Sequence, residues 1–139
     1  MTGAFVPEPE WLTADWHRAC AAEGRLHMQR CDECGHWRHP PRRFCASCFS
    51  GESSFQPVSG TGRVYSYAVS HRSLDPEWNA LAPFVTLVVE LDEGPRLLAT
   101  LLADDADVAI AQRVALGVES RGPTFVQVHA ATLELPPFV

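Results

Sequence analysis

Cys31, Cys34, Cys45 and Cys48 form two Cys-x-x-Cys pairs with ten residues between them. Nothing else in the chain restricts the local fold as tightly. Each pair bends into a knuckle that turns two thiolates toward one point. Two knuckles complete a tetrahedral sulfur cage for a soft or borderline metal. Zinc is the expected occupant and iron the alternative, which the absorption spectrum distinguishes. Four protein ligands leave no open position for a catalytic water, so the spacing predicts a structural site. His36 and His39 lie between the pairs and are the residues able to replace a cysteine.

Length and composition set the surroundings. The 139 residues suit one domain, or one domain plus a small module, and 46% of them are hydrophobic. No apolar run approaches the ~20 residues of a membrane span. Residues 1–10 hold Glu8 and Glu10 and no basic residue, unlike a secretory signal. The expected location is therefore the reducing cytoplasm, where paired cysteines are ligands more often than disulfides. Seventeen acids face 11 bases, for a net charge of −6, and every base is arginine. The lack of lysine excludes a Schiff-base lysine and a lysine-bearing phosphate loop. The acidic balance argues against broad nucleic-acid binding.

The pattern along the chain predicts a loose arm over 1–10 and a helix over Trp11–Glu23, with Leu12, Trp16 and Cys20 on one face. Gly24 fits its C-terminal stop. A short strand over 26–30 leads into the first knuckle, and Gly35 supplies a left-handed backbone behind Cys34. Residues 35–44 read as a stiff irregular loop. Phe44 and Phe49 are expected to pack beneath the metal. Residues 51–60 read as a connector. Five short strands follow, within 64–69, 84–91, 97–102, 108–118 and 125–133, with a helical turn expected at Asp104–Asp107. Five strands with such a turn fit an OB-type barrel. The fold class is thus mainly β: an N-terminal arm and helix over 1–25, a zinc ribbon over 26–52 and a five-stranded OB-fold barrel domain over 53–139.

Around the cage, Arg25, Arg30, Arg38, Arg42 and Arg43 oppose only Asp32 and Glu33. They offset the negative cage, and Arg38, Arg42 and Arg43 are candidate contacts for phosphates such as those of coenzyme A, or for a partner. Trp78, on the long 72–83 segment, is a further candidate contact. No catalytic residue is assigned. His71, Ser73 and Asp75 lie close in sequence but lack a Gly-x-Ser-x-Gly elbow. His129 reads as a structural hydrogen-bonding residue, and Cys20 as a small buried one.

The order of parts is itself distinctive. A helix precedes Leu26-His-Met-Gln-Arg-Cys31. Cys-Asp-Glu-Cys-Gly, Pro40-Pro41-Arg42 and Cys-Ala-Ser-Cys follow, then Gly60-Thr-Gly-Arg-Val-Tyr-Ser-Tyr67, then Pro83-Phe-Val-Thr-Leu-Val-Val-Glu-Leu-Asp-Glu-Gly94. From about Trp11 to Phe138 this resembles the rubredoxin-like zinc-ribbon plus OB-fold family associated with acyl-CoA metabolism. The resemblance implies a non-catalytic accessory subunit docked as a hetero-oligomer on a thiolase-superfamily enzyme, such as a thiolase-like aldolase of steroid side-chain degradation. It would support that enzyme's folding, substrate entrance or substrate handover. The resemblance also implies a MaoC-like hydratase as a second partner and a contact with acyl-CoA. Two other readings stand beside it: a nucleic-acid-binding ribbon and barrel, and a rubredoxin-like electron carrier.

Overall fold

The structure is a computed structural model that describes residues 11–102, 108–122 and 124–133. Helix α1 runs over Trp11–Glu23, as its four-residue apolar repeat predicts. It ends in a Schellman motif. Gly24 takes φ +61, its N–H reaches the Ala21 carbonyl, and the Arg25 N–H reaches that of Cys20. Trp16 and Cys20 face the core, joined by Ala14 and His17, whereas Trp11 is 79% exposed.

Three strands build the ribbon sheet: β1 (His27–Cys31), β2 (Trp37–Arg38) and β3 (Ser53–Pro57), in the order β2-β1-β3. The stretch expected as a connector therefore contains a strand. Ser53–Pro57 pairs antiparallel along the whole of β1, from His27↔Pro57 to Cys31↔Ser53. Gln29, buried in the middle of β1, fixes the loop behind β2. Its Nε2 donates to the Arg42 carbonyl at 2.8 Å and to Ser53 Oγ at 2.9 Å. Its Oε1 accepts from the Arg42 N–H at 2.7 Å and Arg38 Nε at 3.1 Å. A buried amide with every valence met is a specific brace, because any substitute leaves buried polar groups unpaired.

The rest of the chain closes into a barrel. Its strands are β4 (Thr61–Ser70), β5 (Phe84–Leu91), β6 (Arg96–Leu101), β7 (Arg113–Ser120) and β8 (Val126–Thr132), in the order β4-β5-β6-β8-β7. Strand β5 alternates strictly. Val85, Leu87, Val89 and Leu91 point inward and are buried, as the period of two requires. They meet Leu97, Ala99, Leu101, Val114, Val126 and Ala130 in one core, which also takes in Trp16, Cys20, Leu26 and Met28. Helix and ribbon are thus packed on the barrel through shared apolar residues. A five-residue helix α2 (Pro76–Ala80), capped by the Asp75 side chain, occupies the segment expected as a loop. The turn expected at Asp104–Asp107 lies outside the described residues. None of the described helices is long and apolar enough to cross a membrane.

One seam in the barrel is short. Strands β6 and β8 run parallel and pair only at Thr100↔His129 and Leu101↔Ala130. The beginnings of both strands are not paired with each other, and helix α1 lies over that end. The Val126 N–H at the start of β8 donates to His17 Nδ1 of the helix at 3.0 Å.

Candidate metal centre and the cleft beside it

The fold brings all four cysteines of the two pairs together. Their Sγ atoms lie within 4.8 Å of one another, with Cys31–Cys48 at 3.5 Å and Cys34–Cys45 at 3.6 Å. A tetrahedron with metal–sulfur distances of about 2.3 Å has edges of about 3.8 Å, so the spacing suits a metal at the centre. All are free thiols, with Cys31 and Cys45 buried and Cys34 and Cys48 exposed.

The two knuckles are built alike. In the first, the Gly35 N–H returns to the Cys31 carbonyl at 3.0 Å; in the second, the Phe49 N–H returns to that of Cys45 at 2.9 Å. Both residues take left-handed backbones, with φ +76 at Gly35 and φ +64 at Phe49. The turns aim amide N–H groups at sulfur. The Cys34 and Glu33 amides face Cys31, and the Cys48 and Ser47 amides face Cys45.

These dipoles favour the thiolate and set the charge balance of the cluster. The Cys48 N–H, with that of Ser47, outweighs burial and holds the Cys45 thiol down at about 6. Cys31 is lowered too, chiefly by the Cys34 N–H. At Cys48 the Ser50 N–H favours ionisation, yet the surrounding thiols, Cys31 foremost, and burial push it up to about 12. Four sulfurs this close cannot all carry charge without a cation among them. The donor set, its spacing and its hydrogen bonds therefore fit a metal coordinated by four cysteines, and the geometry leaves no ligand position for water. Neither His36 nor His39 joins the cluster.

Phe44 and Phe49 do not pack beneath this site. They are 59% and 80% exposed. The left-handed turn at Phe49 carries its side chain off the knuckle, and the Phe44 ring lies over Gly51.

The candidate contacts of the sequence separate. Arg38 is buried, and its guanidinium donates to Gln29 Oε1 and to the Arg42 carbonyl at 2.9 Å. Arg42 and Arg43 are exposed, and neither forms an ion pair among the described residues. Trp78 is half-buried, with its ring 5.0 Å from that of Phe84. Asp75 spends its carboxylate on the amides of Glu77 and Trp78, and Ser73 Oγ accepts the Asp75 N–H. His129 Nε2 pairs with Glu119 at 2.6 Å.

Trp78 borders a feature that sequence reasoning missed. A cleft of about 650 Å³ opens where β6 and β8 part. Trp16 and His17 of α1, His39 of the ribbon, and Phe125 form its walls with Trp78, and Leu97, Ala99 and Val128 lie at its barrel side. His17 stacks on Phe125 with ring centroids 4.5 Å apart, and Trp16 lies 5.0 Å from His39. Burial lowers the pKa of His17, and burial with the nearby His17 lowers that of His39 to about 4. Both imidazoles are thus neutral near pH 7. Trp78, a candidate contact in the sequence, was its one signal; the other walls come from separate parts of the chain that meet only in the fold.

The comparisons agree with this architecture. The family described as the rubredoxin-like zinc ribbon domain of ChsH2 matches residues 18–54, and that described as the C-terminal OB-fold domain of ChsH2 matches residues 55–119. A probable enoyl-CoA hydratase alpha subunit of Thermomonospora curvata is 42% identical over 89 residues, 64% of this chain and 27% of that protein. A DUF35 domain-containing scaffold protein of Methanothermobacter thermautotrophicus is 35% identical over 83 residues, 59% of this chain and 62% of that one. The chain therefore matches less than two thirds of the length of either. Among solved structures, a chain of the Ltp2-ChsH2(DUF35) aldolase superposes with a TM-score of 0.80 at 32% identity, over 91% of this chain and 98% of that one. Motif, fold and comparisons converge: the chain belongs to the ChsH2 family of zinc-ribbon and OB-fold proteins.

Proposed function

We propose that the chain is a non-catalytic accessory subunit of a thiolase-superfamily enzyme that acts on an acyl-CoA thioester. The observation that carries this reading is the superposition over 98% of a chain from an aldolase complex. A cage whose ligands are all protein sulfurs supports it, because such a site braces structure and binds no substrate. Zinc is the metal in this reading, held by Cys31, Cys34, Cys45 and Cys48. The three units in this reading are the N-terminal arm and helix (1–25), the ribbon (26–52) and the OB-fold domain (53–139), whose first strand, β3, is given to the ribbon sheet. A thiolase-like aldolase of steroid side-chain acyl-CoA degradation is the favoured partner, with a MaoC-like hydratase as the second protein of the assembly, in the cytoplasm. The relatives' names, a hydratase subunit and a scaffold, favour this class over a nucleic-acid module or an electron carrier. The cleft beside Trp78 gives such a subunit a place to border the substrate entrance.

Co-expression with a thiolase-superfamily enzyme from the same genome tests the reading. The two proteins are expected to elute as one complex on size exclusion, with zinc in the accessory chain. Separate elution at micromolar concentration contradicts it.

A further inference from the structure

We infer that the cleft between α1, α2 and the open end of the β6–β8 seam binds a small uncharged ligand, one with an apolar body and an oxygen that accepts a hydrogen bond from His17. The inference goes beyond the proposed function and stands or falls without it.

The first observation is a donor held ready. The Val126 N–H donates to His17 Nδ1 at 3.0 Å. That nitrogen presents its lone pair, so the proton of the neutral ring sits on Nε2. Stacking on Phe125 fixes the plane of the ring. His17 is buried, yet Nε2 keeps access to solvent and meets no acceptor among the described residues. Only water or a ligand is left to accept that N–H.

The second is shape. The volume of about 650 Å³ lies in the range of small-molecule sites. Trp78 of α2, Leu97 and Leu98 of β6 and Val128 of β8 give it apolar walls from three elements. Leu98 is 65% exposed, although it lies in the cleft. Aromatic and aliphatic walls with few polar groups are the make-up of such sites.

The third is charge. No acid lines the cleft among the described residues, and burial keeps its two imidazoles neutral near pH 7. Both arginines are engaged. Arg96 pairs with Glu90 at 3.1 Å, and its Cζ lies 3.6 Å from the Tyr65 ring centroid. Arg121 donates to Gln127 at 3.1 Å. A charged group at the centre would lose water without gaining a counter-ion, whereas a neutral oxygen needs only the His17 N–H. A peptide fits less well. It brings a donor as well as an acceptor at each residue, and His17 already takes the β8 N–H with which an added strand would begin pairing.

The test uses the full, metal-loaded chain and benzophenone, an uncharged aromatic ketone that also photolabels its site. Binding is followed by proton–nitrogen NMR and, after irradiation, by mass spectrometry of labelled peptides. Saturable shifts are expected in α1, α2, β6 and the start of β8, the His17 Nε2–H included. The adduct is expected on peptides carrying Trp78, Leu98 or Val128. Diphenylmethane, the same shape without the oxygen, is expected to bind roughly threefold to tenfold more weakly, the worth of one hydrogen bond. L98E, at an exposed position, is expected to fold as the parent does and to bind about tenfold more weakly, because it sets a carboxylate in the apolar wall. H17F is expected to bind both probes alike; if it does not fold, L98E and the two probes on the parent chain decide.

No saturable binding, equal affinity of the parent for both probes, or an adduct outside the cleft overturns the inference. Tighter binding of 4-benzoylbenzoate, the charged analogue, overturns it too. An affinity that rises severalfold in F5S or F138S assigns the cleft to the chain's own end segments, and one that falls as chain concentration rises assigns it to a second copy. Either result also overturns the inference.

Discussion

At the scale of single residues, the cage and the two imidazoles of the cleft carry the strongest consequences. Cys45 is a buried ligand whose sulfur faces the Cys48 and Ser47 amides, so its replacement should open the cage. In C45S the metal content is expected to fall from about one per chain toward zero, measured by plasma emission. The binding energy of a structural site, of order 10 kcal/mol in zinc peptides, is then lost to the ribbon. His39 and His17 give the fold a pH dependence of definite sign. Their folded pKa values lie below 6.5, so the unfolded chain binds protons first as pH falls. The stability they represent is complete above about pH 6.5 and drains away toward pH 4. For His39 the full loss amounts to about 3 kcal/mol. Urea midpoints are expected to drop between pH 7 and pH 5.5 in the parent chain, and to drop less in H39Q. Equal slopes would show that His39 does not charge on unfolding.

At the scale of elements, two connections decide how the parts are held. One is Gln29, whose amide ties β1 to β3 and to the 38–43 loop. Q29A is expected to cost about 1–3 kcal/mol in denaturant unfolding, since it removes partners of the partly buried Arg42 N–H and carbonyl and one acceptor of the Arg38 guanidinium. A loss under about 0.5 kcal/mol would mean that water replaces the amide. The other is the short β6–β8 seam. Helix α1 was legible because Trp16 and Cys20 repeat at helical spacing and Gly24 ends the run, and β5 because it is rich in β-branched residues. The β3 strand was not. Ser53-Ser-Phe-Gln-Pro57 has weak strand propensity, and its pairing with β1 alone makes it a strand. Phe44 and Phe49 misled for a related reason. Apolar residues beside ligands suggest burial, but the left-handed turn at Phe49 points its ring outward.

At the scale of the whole molecule, helix, ribbon and barrel share one apolar core and leave an aromatic, arginine-bearing face and a cleft at the surface. The cage was legible because cysteine spacing encodes the ligand geometry locally. The cleft was not, because Trp16, His39, Trp78 and Phe125 meet only after three parts of the chain have packed together. Such an assembly, with a metal closed to substrate, suits a body that supports chemistry elsewhere. Steady-state carbon–carbon cleavage of an acyl-CoA substrate by the thiolase-superfamily enzyme, with and without one equivalent of this zinc-loaded chain, tests that most directly. The account predicts no turnover by the chain alone and a rate for the enzyme that rises until the chain is stoichiometric. Turnover by the chain alone, or an enzyme rate indifferent to its presence, would contradict it.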